Sequence, residues 1–186
     1  MVATPACRIL GLDPGSLRTG FGVIDCSAAG ERRVASGCIA VGGLPLVVRL
    51  RRIFEAVAAL VDEHRPDEIA VERVFVHRNP DSALKLGQAR GAALCAAVAY
   101  GAAAHEYAPR AIKLAISGYG AAEKDQVAQM VCMLLQLRKR PGADEADALA
   151  VALCHAQTRR LATIVAAPAA AVRSGARAAV RGGARL

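Results

Sequence analysis

The chain has no tryptophan, and three phenylalanines and three tyrosines bring its aromatic content to only 3% of 186 residues. That scarcity excludes a ligand pocket walled by aromatic rings and leaves the core to small and aliphatic side chains. There is no Cys-x-x-Cys pair: the cysteines at 7, 26, 38, 95, 132 and 154 sit mostly in apolar runs. They read as buried, reduced thiols of an intracellular protein rather than zinc ligands or disulfides. Residues 1–6 lack the charged and apolar regions of a signal peptide. The uncharged stretch Gly91–Ala104 falls short of the ~20 apolar residues a membrane span needs. A soluble, cytoplasmic protein without a membrane partner is expected.

Acid is missing in one place. Residues 159–186 carry six arginines and no aspartate or glutamate, so most of the net charge of +8 belongs to that tail. The preceding 158 residues hold 18 basic and 16 acidic side chains and are nearly balanced. A nucleic-acid surface on the body must therefore come from the placement of charges, with Arg73 and Arg78, Arg49 to Arg52, and Arg138 to Arg140 as candidate patches.

Apolar periodicity predicts strands over 7–13, 20–26 and 33–40, joined by turns short enough for antiparallel neighbours. An amphipathic helix runs to about His64 with Leu46, Leu50, Ile53, Val57 and Val61 on one stripe. A fourth strand is predicted over 67–73, a helix over 81–100 capped by Asp81 or Ser82, and a short strand near 104–107. Helices near 109–116, 122–137 and 143–158 complete a mixed α/β sheet covered by helices. One domain spans 7–160, after a short extension at 1–6. The Ala/Arg/Gly segment 161–186 is expected to be a disordered basic tail.

What the chain does have is four well-placed carboxylates. Asp13 closes the apolar strand Arg8–Asp13 before Pro14-Gly15, and Glu72 closes the run Ile69–Glu72. Asp144 and Asp147 are three apart at the start of an Ala-rich helix and share a face. Acids at strand ends with an acidic pair on a helix gather oxygen ligands for a hard dication such as Mg²⁺. His77, His105 and His155 have no histidine three or four positions away, so they read as polar loop or satisfied interior residues. Glu145 reads as a first-turn charge favoured by the helix dipole.

Several blocks together resemble the RuvC family of Holliday-junction resolvases. They are Ile9-Leu-Gly-Leu-Asp-Pro-Gly15, Gly20-Phe-Gly-Val-Ile24, Val71-Glu-Arg-Val-Phe75, Asn79–Gly91, Glu106-Tyr-Ala-Pro-Arg110, Ala122–Val127 and Asp144–Ala150. The likeness covers about residues 7–158 in the family's own order. It implies a ribonuclease-H-like fold with a five-stranded mixed sheet, a homodimer, and a Mg²⁺-dependent endonuclease that nicks a four-way DNA junction symmetrically. Two Mg²⁺ ions per site are implied, with Mn²⁺ as a substitute, and a branch-migration motor as a further partner. The implied catalytic tetrad is Asp13, Glu72, Asp144 and Asp147, the set the residues themselves single out. Asp13 would bridge the metals, with the roles of Asp144 and Asp147 left open. The resemblance adds Lys113 and Lys124 near the scissile phosphate, and Phe75 stacking on an unpaired base. Arg73, Arg78, Lys85, Arg90 and Arg110 complete the expected DNA-facing set.

Against that pattern the Ala40–Leu44 connection is short and apolar, and Leu46-Val-Val48 adds an apolar patch to the first helix. Gly11–Gly15 with Gly20–Gly22 also resembles the phosphate loop of actin-like ATPases and sugar kinases, but the chain is too short for their second half. A non-catalytic junction binder would have no use for four converging acids, which repel DNA without a metal. A nuclease for other branched DNA is the remaining alternative.

Overall fold

The computed structural model describes residues 7–73, 79–99 and 101–180. Three strands open the chain, β1 (Cys7–Asp13), β2 (Arg18–Ser27) and β3 (Gly30–Ala40), each antiparallel to the one before. Helix α1 (Leu46–His64) leads to β4 (Glu68–Glu72), which pairs parallel to β1. Helix α2 (Pro80–Val98) leads to β5 (Ala103–Tyr107), parallel to β4. The sheet order is β3-β2-β1-β4-β5. Helices α3 (Pro109–Ser117), α4 (Lys124–Leu134) and α5 (Ala143–Val180) follow.

Alternation along β1 and β4 splits the core into two layers. Leu10, Leu12, Ile69 and Val71 face α1 and α2, where Ile53, Val57, Val61 and the alanines 89, 93, 96 and 97 cover them. Ile9, Ala70 and Ile24 face the other way, against Leu149, Leu153, Ile112 and Val131 of α5, α3 and α4. With no large rings to pack, α5 comes close to the sheet. Gly11 and Gly22 are cross-strand partners, and a Cβ on either would fall 2.8 Å from the Ala152 side chain or 2.7 Å from that of Leu149. The bare backbone of β1 and β2 is the bed on which α5 lies.

Strands β2 and β3 begin two and three residues earlier than the periodicity predicts, and three helices also depart from it. Helix α2 is capped by Asn79, whose side chain accepts from the Asp81 and Ser82 amides, and Pro80 takes the first helical position. Helix α4 stops at Leu134 because the chain turns through Gln136 at φ 50°. Helix α5, expected to end near 158, runs to Val180, carried by the high helix propensity of alanine and arginine. It leaves the body on the way, since Leu161, Ile164 and Val165 are exposed.

The cysteines are all free, but only Cys7 and Cys154 are buried, and Cys95 is exposed on α2. Glu145 is not a bare first-turn charge. It accepts from the Ser36 hydroxyl at 2.5 Å and the Gly142 amide at 3.2 Å, tying β3 to α5.

Candidate active site

The register Leu12↔Val71 makes β1 and β4 end together, so Asp13 and Glu72 leave the sheet side by side. The N-terminus of α5 crosses this edge at Gly20, the partner of Asp13 across β1 and β2. A Cβ at Gly20 would collide with the Asp144 carbonyl, so the absence of a side chain there lets the first turn of α5 reach Asp13. That turn carries Asp144 and Asp147. All four acids are half-buried. Glu72 and Asp147, with Lys113 of α3 and Lys124 of α4, also line a cavity of about 220 Å³.

Crowding four acids in a partly dry site has a measurable electrostatic consequence. Burial raises the Asp13 carboxyl above its ordinary range, and the charge of Asp147 pushes it further. Burial, then Asp13 and Asp147, drive Glu72 from 4.5 up to about 7. Asp13 and Glu72 stand close enough that their titrations depend on one another, as for any interacting pair of acids.

The other two acids have found cations. Lys124 Nζ donates to Asp147 at 2.9 Å, and that bond raises the lysine's own pKa. Arg18 Nε donates to Asp144 at 2.5 Å, with Cys38 Sγ 3.5 Å away. Burial pushes the Asp144 carboxyl up, but the Arg18 and Cys38 hydrogen bonds outweigh it and leave it low. Each acid of the α5 pair is thus held by one cation. Among the described residues, three ligand atoms lie within 4.8 Å of one another at Glu68, His105 and His155, in another part of the fold.

A carboxyl held above its unfolded value takes up a proton on folding, so the sign of its stability effect is fixed. In chelator, Glu72 costs nothing below pH 4.5, and its penalty grows as pH rises, reaching its full size above about 7. Urea unfolding across that window should show stability falling with pH in the parent, and a flatter profile in Glu72→Gln.

The expected DNA-facing residues are dispersed. Phe75, Arg78 and His77 lie outside the described residues. Arg90 is mostly buried, donating to Glu106 at 2.8 Å, and its Nε lies 3.5 Å from the Glu72 carbonyl oxygen. It therefore props the end of the strand that carries Glu72. Exposed Arg73 lies 3.5 Å from the same Glu106, whose pKa the Arg90 hydrogen bond lowers. Lys85 pairs with Asp81 one helical turn away, and Arg110 is exposed at the start of α3 beside Gly120. Arg18 is a site residue that motif reasoning misses. Its one signal is position: it is the first residue of the strand that returns antiparallel beside Asp13.

Acids on two adjacent parallel strands and on a helix crossing their ends, in a sheet of this order, define a ribonuclease-H-like nuclease. The sequence profile described as crossover junction endodeoxyribonuclease RuvC matches residues 9–155, and the chain belongs to that family. It is similar to the crossover junction endodeoxyribonuclease RuvC of Marinobacter nauticus, 52% identical over 167 residues that span 90% of this chain and 95% of that one. It is also similar to Thermus thermophilus RuvC solved in complex with a Holliday junction substrate. There the identity is 36% and the TM-score 0.79, covering 84% of this chain and 97% of that one. The yeast mitochondrial Holliday junction resolvase shares the fold at 10% identity, with a TM-score of 0.61 over 82% of this chain and 80% of that one.

Proposed function

We propose that this chain resolves Holliday junctions in recombination and repair, making paired, symmetric nicks in strands of like polarity by metal-assisted phosphodiester hydrolysis. The observation that carries the reading is the gathering of Asp13, Glu72, Asp144 and Asp147 at one sheet edge in a member of the RuvC family. The donor set fits Mg²⁺, with Mn²⁺ as a substitute. It is all oxygen, and burial first, then the charge of neighbouring acids, raises the pKa values of Asp13 and Glu72, both effects that a dication would offset. Asp13, Glu72, Asp144 and Asp147 would hold two ions, which would supply an activated water and neutralise the leaving oxygen. Lys113 and Lys124 line a cavity with Glu72 and Asp147, and would there offset charge developing on the scissile phosphate. Arg18 and Lys124 hold Asp144 and Asp147 and would be available to phosphate if those acids held metal instead.

The outer face of α2 supports a homodimer. Leu84, Gly87, Cys95 and Val98 are exposed along one stripe with Gly91 between them, while Ala89, Ala93, Ala96 and Ala97 bury the opposite face. A two-fold pair would present two active sites to a two-fold junction. In the cell, the same reading places the protein in the bacterial cytoplasm, near the nucleoid, with a branch-migration motor complex as partner. The tail arginines 173, 177, 181 and 185 would add nonspecific attraction. Deleting 162–186 should weaken binding to all DNA alike and reduce the salt slope by up to about 0.9 for each phosphate that the tail had neutralised. Filter binding across a salt series checks this, and an unchanged slope removes the tail from DNA binding.

The test of the whole reading is cleavage of a mobile synthetic four-way junction, labelled on each strand, beside a linear duplex of the same sequence. Paired nicks at symmetric positions in the junction, dependent on Mg²⁺ and absent from the duplex, are expected. Tight junction binding without nicks would make the chain an architectural binder, and equal cutting of flaps or other branched DNA would broaden its substrate.

A further inference from the structure

Glu68, His105 and His155 come from β4, β5 and α5, and meet at the far end of the sheet from the catalytic acids. Glu68 lies four residues before Glu72 along β4, about 13 Å at strand rise. His155 lies eight residues beyond Asp147 along α5, about 12 Å at helix rise. The parallel register sets His105 opposite Ala70, so Glu68 and His105 project on the α5 side of the sheet. His155 is buried there at 2% exposure, with Nε2 2.5 Å from Glu68 Oε2.

We propose that these three side chains form a transition-metal site of Zn²⁺ type, separate from the nuclease centre. Their ligand atoms all lie within 4.8 Å of one another. His105 Nε2 is 3.8 Å from Glu68 Oε2, beyond hydrogen-bond reach but close to the spacing of about 3.3 Å between ligands on one tetrahedral Zn²⁺. The two imidazoles stack with centroids 4.4 Å apart, which sets their ring edges toward the same carboxylate. Two imidazoles and one carboxylate suit Zn²⁺ and not Mg²⁺, which prefers oxygen.

The surroundings are those of a supported site. Tyr107 Oη lies 2.6 Å from His155 Nδ1, and a hydroxyl can accept from Nδ1–H, the tautomer that leaves Nε2 free for metal. Arg159 Nε holds Glu68 Oε1 at 2.8 Å, so Oε2 is the oxygen turned to the histidines. The His105 side chain is 43% exposed, so ions can enter and water can complete the coordination.

The test is titration of the metal-stripped full-length protein with Co²⁺ and then Zn²⁺, in excess Mg²⁺. One equivalent of Co²⁺ should give the visible absorption of a four-coordinate nitrogen and oxygen site, and Zn²⁺ should displace it. Asp13→Asn should bind as the parent does, which separates this site from the tetrad. Tyr107→Phe should weaken binding about tenfold, and His105→Ala, which removes a ligand, by about 100-fold or more. Zn²⁺ should raise the melting temperature of the parent but not of His105→Ala. Absence of stoichiometric binding, unchanged affinity in His105→Ala, or a near-ultraviolet thiolate band assigning the ion to cysteine would each overturn the proposal.

Discussion

Asp13→Asn will lower junction cleavage by about 10³-fold or more while leaving junction binding intact or tighter. Removing metal-based charge stabilisation of several kcal/mol is a loss of that order, at about 1.4 kcal/mol per decade of rate. The substitution keeps the side-chain shape and takes away one negative charge from the centre of the tetrad. Glu72 stands beside it, and the charge of Asp13 is, after burial, the largest cause of its raised pKa. In Asp13→Asn the Glu72 carboxyl should therefore return toward its ordinary range, and the fall in stability between pH 4.5 and about 7 should shrink. Fewer charges against phosphate also favour DNA binding in chelator. Single-turnover cleavage with Mg²⁺, alongside equilibrium junction binding without it, measures both halves. Substantial cleavage by Asp13→Asn would refute the tetrad, whatever the family.

The positions of the four acids are legible in the sequence because each carries a local signal: Asp13 before Pro14-Gly15, Glu72 at the end of an apolar run, and the pair 144 and 147 at the start of one helix. The strands are legible for the same reason, since alternation survives in any context. What escapes needs the topology. Arg18 reaches Asp144 across 126 residues, and Ser36 reaches Glu145 across 109. Glu68, His105 and His155 have no neighbours of their own kind at helical spacing. They become a group only when two parallel strands and a helix bring them together. The Asn79 cap is within reach of sequence, because proline favours the first helical position and the residue before it is then the cap. Extension of α5 beyond 158 is hidden by glycines and Pro168, whose helix-breaking tendency masks the strong propensity of the alanines around them.

Gly20→Ala should lower stability by about 1–3 kcal/mol, the usual cost of forcing a methyl into a packed interior. It should also lower cleavage by about 10²-fold, the scale for a displacement near 1 Å of catalytic groups. The new Cβ would meet the Asp144 carbonyl and lie 3.3 Å from the Ala148 side chain. Backbone cannot rotate out of the way as a side chain can, so the first turn of α5 must lift from β2. Asp144 and Asp147 ride on that turn, while Asp13 and Glu72 stay with the sheet, so the two halves of the tetrad separate. Metal affinity should weaken in parallel with cleavage, whereas a variant that only loosened the core would lose stability alone. Gly42→Ala is the control, because a Cβ there meets nothing within 4 Å. Thermal unfolding, Mg²⁺ dependence and single-turnover cleavage of both variants distinguish these cases. A Gly20→Ala protein that unfolds and cleaves like the parent would mean that α5 is held over Asp13 by something other than its contact with the bare backbone of β2.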